Sequence, residues 1–123
     1  MKELKAPDLR VGNLVLDSTK NTTRVESISI GEHHRIRYGI PITSDRLINF
    51  GFVKTKVPMK IDIEYIDYRM GQFVLFILPK GIVEVEFCAA HNTIEERGYL
   101  CAIKYVHQLQ NIYYALTGKE LIF

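Results

Sequence analysis

The sequence has no uncharged stretch near the roughly twenty residues that a membrane-spanning helix needs. Met70 to Pro79, for example, is closed off by Arg69 and Lys80. No secretory leader is expected, because MKELKAPDLR carries charge where such a segment needs an apolar core. Cysteine is scarce: Cys88 and Cys101 stand apart, without a Cys-x-x-Cys spacing. These absences lead to the expectation of a cytoplasmic protein with reduced thiols and no membrane association. Glycine-rich phosphate loops are missing too, since Gly12, Gly31 and Gly39 are isolated. The histidines make no zinc pattern. His33 and His34 are adjacent, and His91 and His107 lack a partner at ligand spacing. No family-type motif surrounds either cysteine. No cofactor and no metal are therefore expected, and no catalytic signature emerges. No repeat, low-complexity tract or linker divides the chain, so residues 1–123 read as one domain.

What is present is an ordinary globular balance, 47% hydrophobic and 24% charged over 123 residues, enough for one real core. Charge is uneven. Residues 1–60 hold eleven Lys/Arg and six Asp/Glu, a balance of +5, whereas residues 61–123 hold five and eight, a balance of −3. A basic half can be a nucleic-acid footprint or simply solvated surface. Arg10, Arg24, Arg35 and Arg37 are the candidate contacts. With no recognised reading motif beside them, any binding is expected to be weak and salt-dependent.

Leu9 to Leu16 reads as a strand, with Gly12-Asn13 suited to a bulge or tight turn. Asp17 to Thr23 is polar and turn-rich. Val25 to Ile30 and Arg35 to Ile40 read as further strands, an opening similar to a small SH3-like barrel. Pro41 to Phe52 predicts a short helix near Ser44 to Phe50. Thr43 or Ser44 can cap it, Asp45 suits its first turn, and Gly51 with Phe52 suits a Schellman close. Met59 to Tyr68, Phe73 to Leu78 and Ile82 to Cys88 read as an antiparallel meander with the apolar middle segment central. Ala89 to Gly98 is polar. Glu120 to Phe123 reads as a short terminal strand or a cover for the core. The expected class is α+β, mostly antiparallel, with one short helix and one long C-terminal helix.

That long helix, expected from about Ala102 to Thr117 and closed by Gly118, is the most distinctive segment. Tyr105, Val106, Leu109, Ile112, Tyr113 and Leu116 share an arc suited to a core. On the other side His107, Asn111 and Tyr114 stand at i, i+4 and i+7, with Gln110 beside them. Lys104 is the only charged residue between Ala102 and Thr117. Neutral hydrogen-bonding groups fit a face buried against the chain's own sheet or N-terminal segment, or one that contacts a second molecule. A second polar group, Asp62, Glu64, Glu84 and Glu86, could bind a hard cation but reads more simply as the wet face of a sheet.

Three segments resemble a family of small proteins of Bacteroides-type bacteria, many carried on prophages or conjugative elements. They are LRVGNLV at Leu9 to Val15, IPITSDRLINFGF at Ile40 to Phe52, and YVHQLQNIYYALTGKEL at Tyr105 to Leu121. The second departs from the family's usual proline-leucine-threonine-glutamate start and has Arg46 where an aromatic is common. The middle, Lys54 to Gly98, matches little beyond its strand pattern. The resemblance implies a bacterial accessory protein and brings no activity with it. The leading expectation is a non-enzymatic binding module, meeting a protein partner or a second copy. Weak nucleic-acid binding is the alternative, and an enzyme ranks third.

Overall fold

In the computed structural model, which describes residues 3–4, 9–26, 37–58, 64–88 and 97–121, the chain is α+β and mostly antiparallel. Contacts gather it into two units. Met1–Pro41 with Tyr105–Leu121 form the first, and Ile42–Lys104 with Ile122–Phe123 the second.

The first unit holds β1 (Leu14–Leu16) and β2 (Thr22–Arg24), paired antiparallel with Val15 opposite Thr23. β1 begins five residues later than the sequence suggests. Arg10 to Asn13 closes as a tight turn, with the Asn13 amide donating to the Arg10 carbonyl at 3.0 Å and Gly12 at φ +94°. That left-handed position suits glycine. β2 lies partly on the stretch read as a polar turn. Its three residues are all exposed, so no apolar alternation marks it. The hairpin loop is local chemistry: the Asp17 carboxylate accepts from the Thr19 amide and hydroxyl and from the Asn21 amide. Those bonds, the Thr19 hydroxyl first, hold the Asp17 carboxyl below its ordinary range. Tyr38 bridges Leu16 and Glu3. Among the described residues this is a two-stranded sheet with isolated bridges, not the closed barrel expected. The rest of the second and third expected strands, residues 27–36, lies outside the described residues.

Leu9, Val15 and Val25 form an apolar cluster here, and α2 (Val106–Thr117) packs on β1. α2 starts four residues later than expected. Its N-cap is Tyr105, whose backbone amide is held by the Gln108 side chain at 3.0 Å. Gly118 closes the far end, donating to the Tyr114 carbonyl at 2.8 Å. The apolar arc read from the sequence is only partly buried. Val106 and Leu109 are inside, while Leu116 is exposed. Tyr105 also lies against Gly39, where an added Cβ would come within 2.5 Å of the tyrosine Cγ and Cδ1. Gly39→Ala should therefore cost about 1–3 kcal/mol through overpacking. A thermal melt matching that of the parent would show that the ring moves aside freely.

The second unit holds α1 (Ser44–Phe50) and a five-stranded meander: β3 (Val53–Pro58), β4 (Glu64–Met70), β5 (Phe73–Ile77), β6 (Val83–Cys88) and β7 (Arg97–Ile103). Spatial order follows chain order, with the apolar β5 central. α1 is capped as the sequence reads. The Thr43 hydroxyl accepts from the Arg46 amide, and Gly51 and Phe52 donate to the Ile48 and Leu47 carbonyls, a Schellman close. The Tyr68 hydroxyl donates to Ser44 Oγ at 2.8 Å. Tyr68, Leu75 and Val85 form one buried row across the sheet, and Phe73 meets Phe87 edge-on at 5.1 Å. β3 has no counterpart in the sequence reading, and neither does β7, which occupies residues assigned there to a polar lead-in and the helix start. Pro79 to Gly81 makes the expected turn. No described helix is long and apolar enough to cross a membrane.

Candidate functional site

The neutral residues of α2 meet the Arg10–Asn13 turn inside the first unit. Asn13 and Gln110 are both fully buried. Gln110 Oε1 accepts from the Leu14 amide at 2.8 Å and from Asn13 Nδ2 at 3.4 Å. Its Nε2 donates to the Leu121 carbonyl at 3.3 Å. Asn13 Nδ2 also donates to Asn111 Oδ1 at 2.8 Å, and Asn13 Oδ1 accepts from the Arg10 amide at 2.6 Å. Every polar atom of these two buried side chains therefore has a partner, the condition under which a buried amide is tolerated. His107 is buried and its ring stacks on Tyr105 at 5.8 Å. Tyr114 is exposed, with the Arg10 guanidinium 4.3 Å above its ring. Gln110, Asn111 and Tyr114 thus meet the chain's own N-terminal segment to different depths, while His107 is buried against Tyr105. Asn13, which meets Gln110 and Asn111, and Glu120, which pairs with Arg10, carried no sequence signal beyond a turn-forming Gly-Asn pair.

Three of the four candidate arginines are described, each in a different setting. Arg10 donates through Nε to Asn111 Oδ1 at 3.2 Å and forms a fork with the Glu120 carboxylate. Arg37 is only 6% exposed. Arg24 is exposed, with a long 3.5 Å contact to the Gly12 carbonyl. Arg35 lies outside the described residues.

On the sheet, Asp62 and the Glu64 side chain also lie outside the described residues. Glu84 and Glu86 stand on the face that carries Arg69 and Val74, by strand register. A carboxylate the sequence reading passed over, Asp67, is buried there. It accepts from the Thr55 hydroxyl and, at 3.1 and 2.9 Å, from Arg69 Nε and Nη2. The bond to Asp67, with the Asp67 and Glu86 charges behind it, raises the Arg69 guanidinium above its ordinary value. Negative charge on this face is thus partly balanced within the unit. No group of three metal-ligating side chains occurs among the described residues. Burial pushes the Cys101 thiol up, away from the thiolate a nucleophile needs. His33, His34 and His91 lie outside the described residues, and the Cys88 side chain is not described.

One further surface stands out, the outer edge of β7. β7 is the last strand of its sheet, and Gly98 to Ala102 have no backbone partner on that side among the described residues. Only beyond them is the edge occupied, where the Lys104 carbonyl accepts from the Ile42 amide at 3.1 Å. Alternation along the strand then turns the Ala102 amide outward as well. Pairing with β6 slips at Val85/Glu86, so that Cys101 faces Val85, Tyr99 faces Glu86, and Leu100 is the extra residue. Tyr99 is 63% exposed and Leu100 42%. The signal was in the sequence as the uncharged run GYLCAI between Arg97 and Lys104, but it is split between the polar stretch ending at Gly98 and the helix expected from Ala102.

No family model, no curated protein and no solved structure matches the chain.

Proposed function

We propose that the chain is a non-enzymatic interaction module that receives its partner along the outer edge of β7. One observation carries this reading: the two edges of the sheet differ. β3 has Lys54, Lys56 and Pro58, the residues that keep an edge strand from pairing. β7 has no charge or proline between Gly98 and Ile103, and it exposes two large apolar side chains. An open edge of that composition is a template for strand addition. The bulge at Leu100 limits the template to a short run. The three sequence motifs support the setting, an accessory protein of a bacterial mobile element. Nucleic-acid binding has less support, because Arg37 is buried and Arg10 is engaged by Glu120, Asn111 and Tyr114.

Amide hydrogen exchange in dilute protein tests the edge. Ala102 should exchange quickly while its inward neighbours Cys101 and Ile103 are protected by β6. Equal protection at all three positions would mean that the chain covers its own edge, and the reading would fall.

A further inference from the structure

We infer that the partner strand received by β7 is apolar on one face and basic on the other, with a lysine or arginine opposite Ala102. This rests on the reading of the β7 edge as the contact surface, and it adds the chemistry of what binds there. A strand added to the edge continues both faces of the sheet, because its side chains alternate whichever way it runs. On one face it adjoins buried Ile103 and half-buried Cys101, which stand in register with Val83 and Val85, so that side of the partner is apolar. The other face is acidic. Glu84 and Glu86 stand there, one strand in from the edge, in register with Ala102 and Tyr99. Asp67 is engaged by Arg69, and the charge of Glu86 also acts on Arg69. Arg97, in register with Cys88, lies beyond Glu86 and away from Glu84. Glu84 differs from its neighbours. The residues facing it on the adjoining strands are Phe76 and Ala102, neither of them charged. It is half-buried, and among the described residues neither Lys104 nor any other group makes a hydrogen bond or an ion pair with it. Ala102 is the gap through which it is reached, since a methyl group leaves the space between Glu84 and the open edge unfilled. A partner residue opposite Ala102 lies two strand spacings from Glu84, about 10 Å between backbones. A lysine or arginine stem laid over Ala102 spans that distance, because Glu84 reaches part of the way. The exposed Tyr99 ring stands beside that path on the same face and offers its π-surface to the cation. A carboxylate in the same place meets Glu84 as a like charge, so the edge rejects acidic strands as well as favouring basic ones.

The experiment titrates the intact chain with end-blocked peptides, Thr-Val-Lys-Val-Thr, Thr-Val-Thr-Val-Thr and Thr-Val-Glu-Val-Thr, to millimolar concentration. Binding is read at the Ala102 amide by its NMR shift and its hydrogen exchange. Each peptide presents valine on one face, and only the centre of the other face changes. The lysine peptide should shift and protect Ala102 and bind about threefold or more tighter than the threonine peptide, with the glutamate peptide weakest. That preference should shrink as salt rises. Glu84→Gln removes the charge at nearly constant shape. It should abolish the preference while leaving threonine-peptide binding and the thermal melt near those of the parent. Glu26→Gln, the same change in the first unit, should leave the preference intact. Equal binding of the peptides at Ala102 overturns the basic-strand inference and leaves the edge reading standing, and so does a lysine preference that survives in folded Glu84→Gln. Ala102 that exchanges freely alone and is unmoved by every peptide also overturns the inference, because the open edge then accepts no such strand. Ala102 already protected before any peptide is added removes both.

Discussion

Leu109→Ala is expected to lower stability by about 2–5 kcal/mol, the range for a fully buried leucine truncated in a packed core. Leu109 lies within the buried half of α2, in the helix that packs on β1, and it has no solvent exposure. The loss combines the transfer energy of the removed atoms with the cavity they leave. How far the neighbours collapse decides where in the range it falls. A chemical or thermal melt is the measurement, followed through signals from residues 9–26 and 105–121, because the chain forms two units. A loss under about 1 kcal/mol would mean that the site relaxes around the smaller side chain far more than a close-packed interior usually does.

Gln110→Leu should cost a comparable amount for a different reason. The substitution keeps side-chain size close but removes an acceptor and a donor from a dry site. The Leu14 amide and the Leu121 carbonyl then lose their side-chain partner, and Asn13 Nδ2 loses one of two acceptors. Each buried group left unsatisfied costs about 1–3 kcal/mol. Gln110→Glu separates this from a packing effect. It keeps the acceptor for Leu14 while removing the donor to Leu121, and it adds a charge that burial disfavours. The leucine variant should therefore show faster amide exchange at Leu14, while the glutamate variant keeps Leu14 protected for as long as it remains folded. Leu14 exchange unchanged in the leucine variant would mean that another group takes the place of Gln110.

Elements that explain themselves locally were legible in the sequence. α1 is the plain case, because Thr43, Gly51 and Phe52 state its start and end chemically. The meander from β4 to β6 was legible because half-buried strands alternate. β3 alternates too, Val53, Thr55 and Val57 against Lys54, Lys56 and Pro58, but lysine and proline are both disfavoured in strands and masked the pattern. β2 is short and exposed on every residue. The start of α2 was obscured by Tyr105, an N-cap without a capping side chain. The polar side of α2 stood out as unusual for solvent, yet nothing in its spacing could say that Gln110 meets the Leu14 amide. Such a match depends on a turn about a hundred residues away, and hydrophobic periodicity carries no information about it.

That separation governs how the protein can be assembled. The second unit is nearly continuous in the chain, so its hairpins can form while later residues are still absent. The first is built from both ends, with Ile42–Lys104 intervening. The buried amides of Asn13 wait for Gln110 and Asn111, and Gln110 waits in turn for Leu121. Closing so long a loop carries an entropic cost that falls when the intervening stretch has already folded and shortened the effective span. During synthesis, the hairpin of β1 and β2 is thus made before Ile42–Lys104 yet is among the last to acquire its permanent partners. Damage at Leu121 would be felt at Asn13 and Leu14, through Gln110.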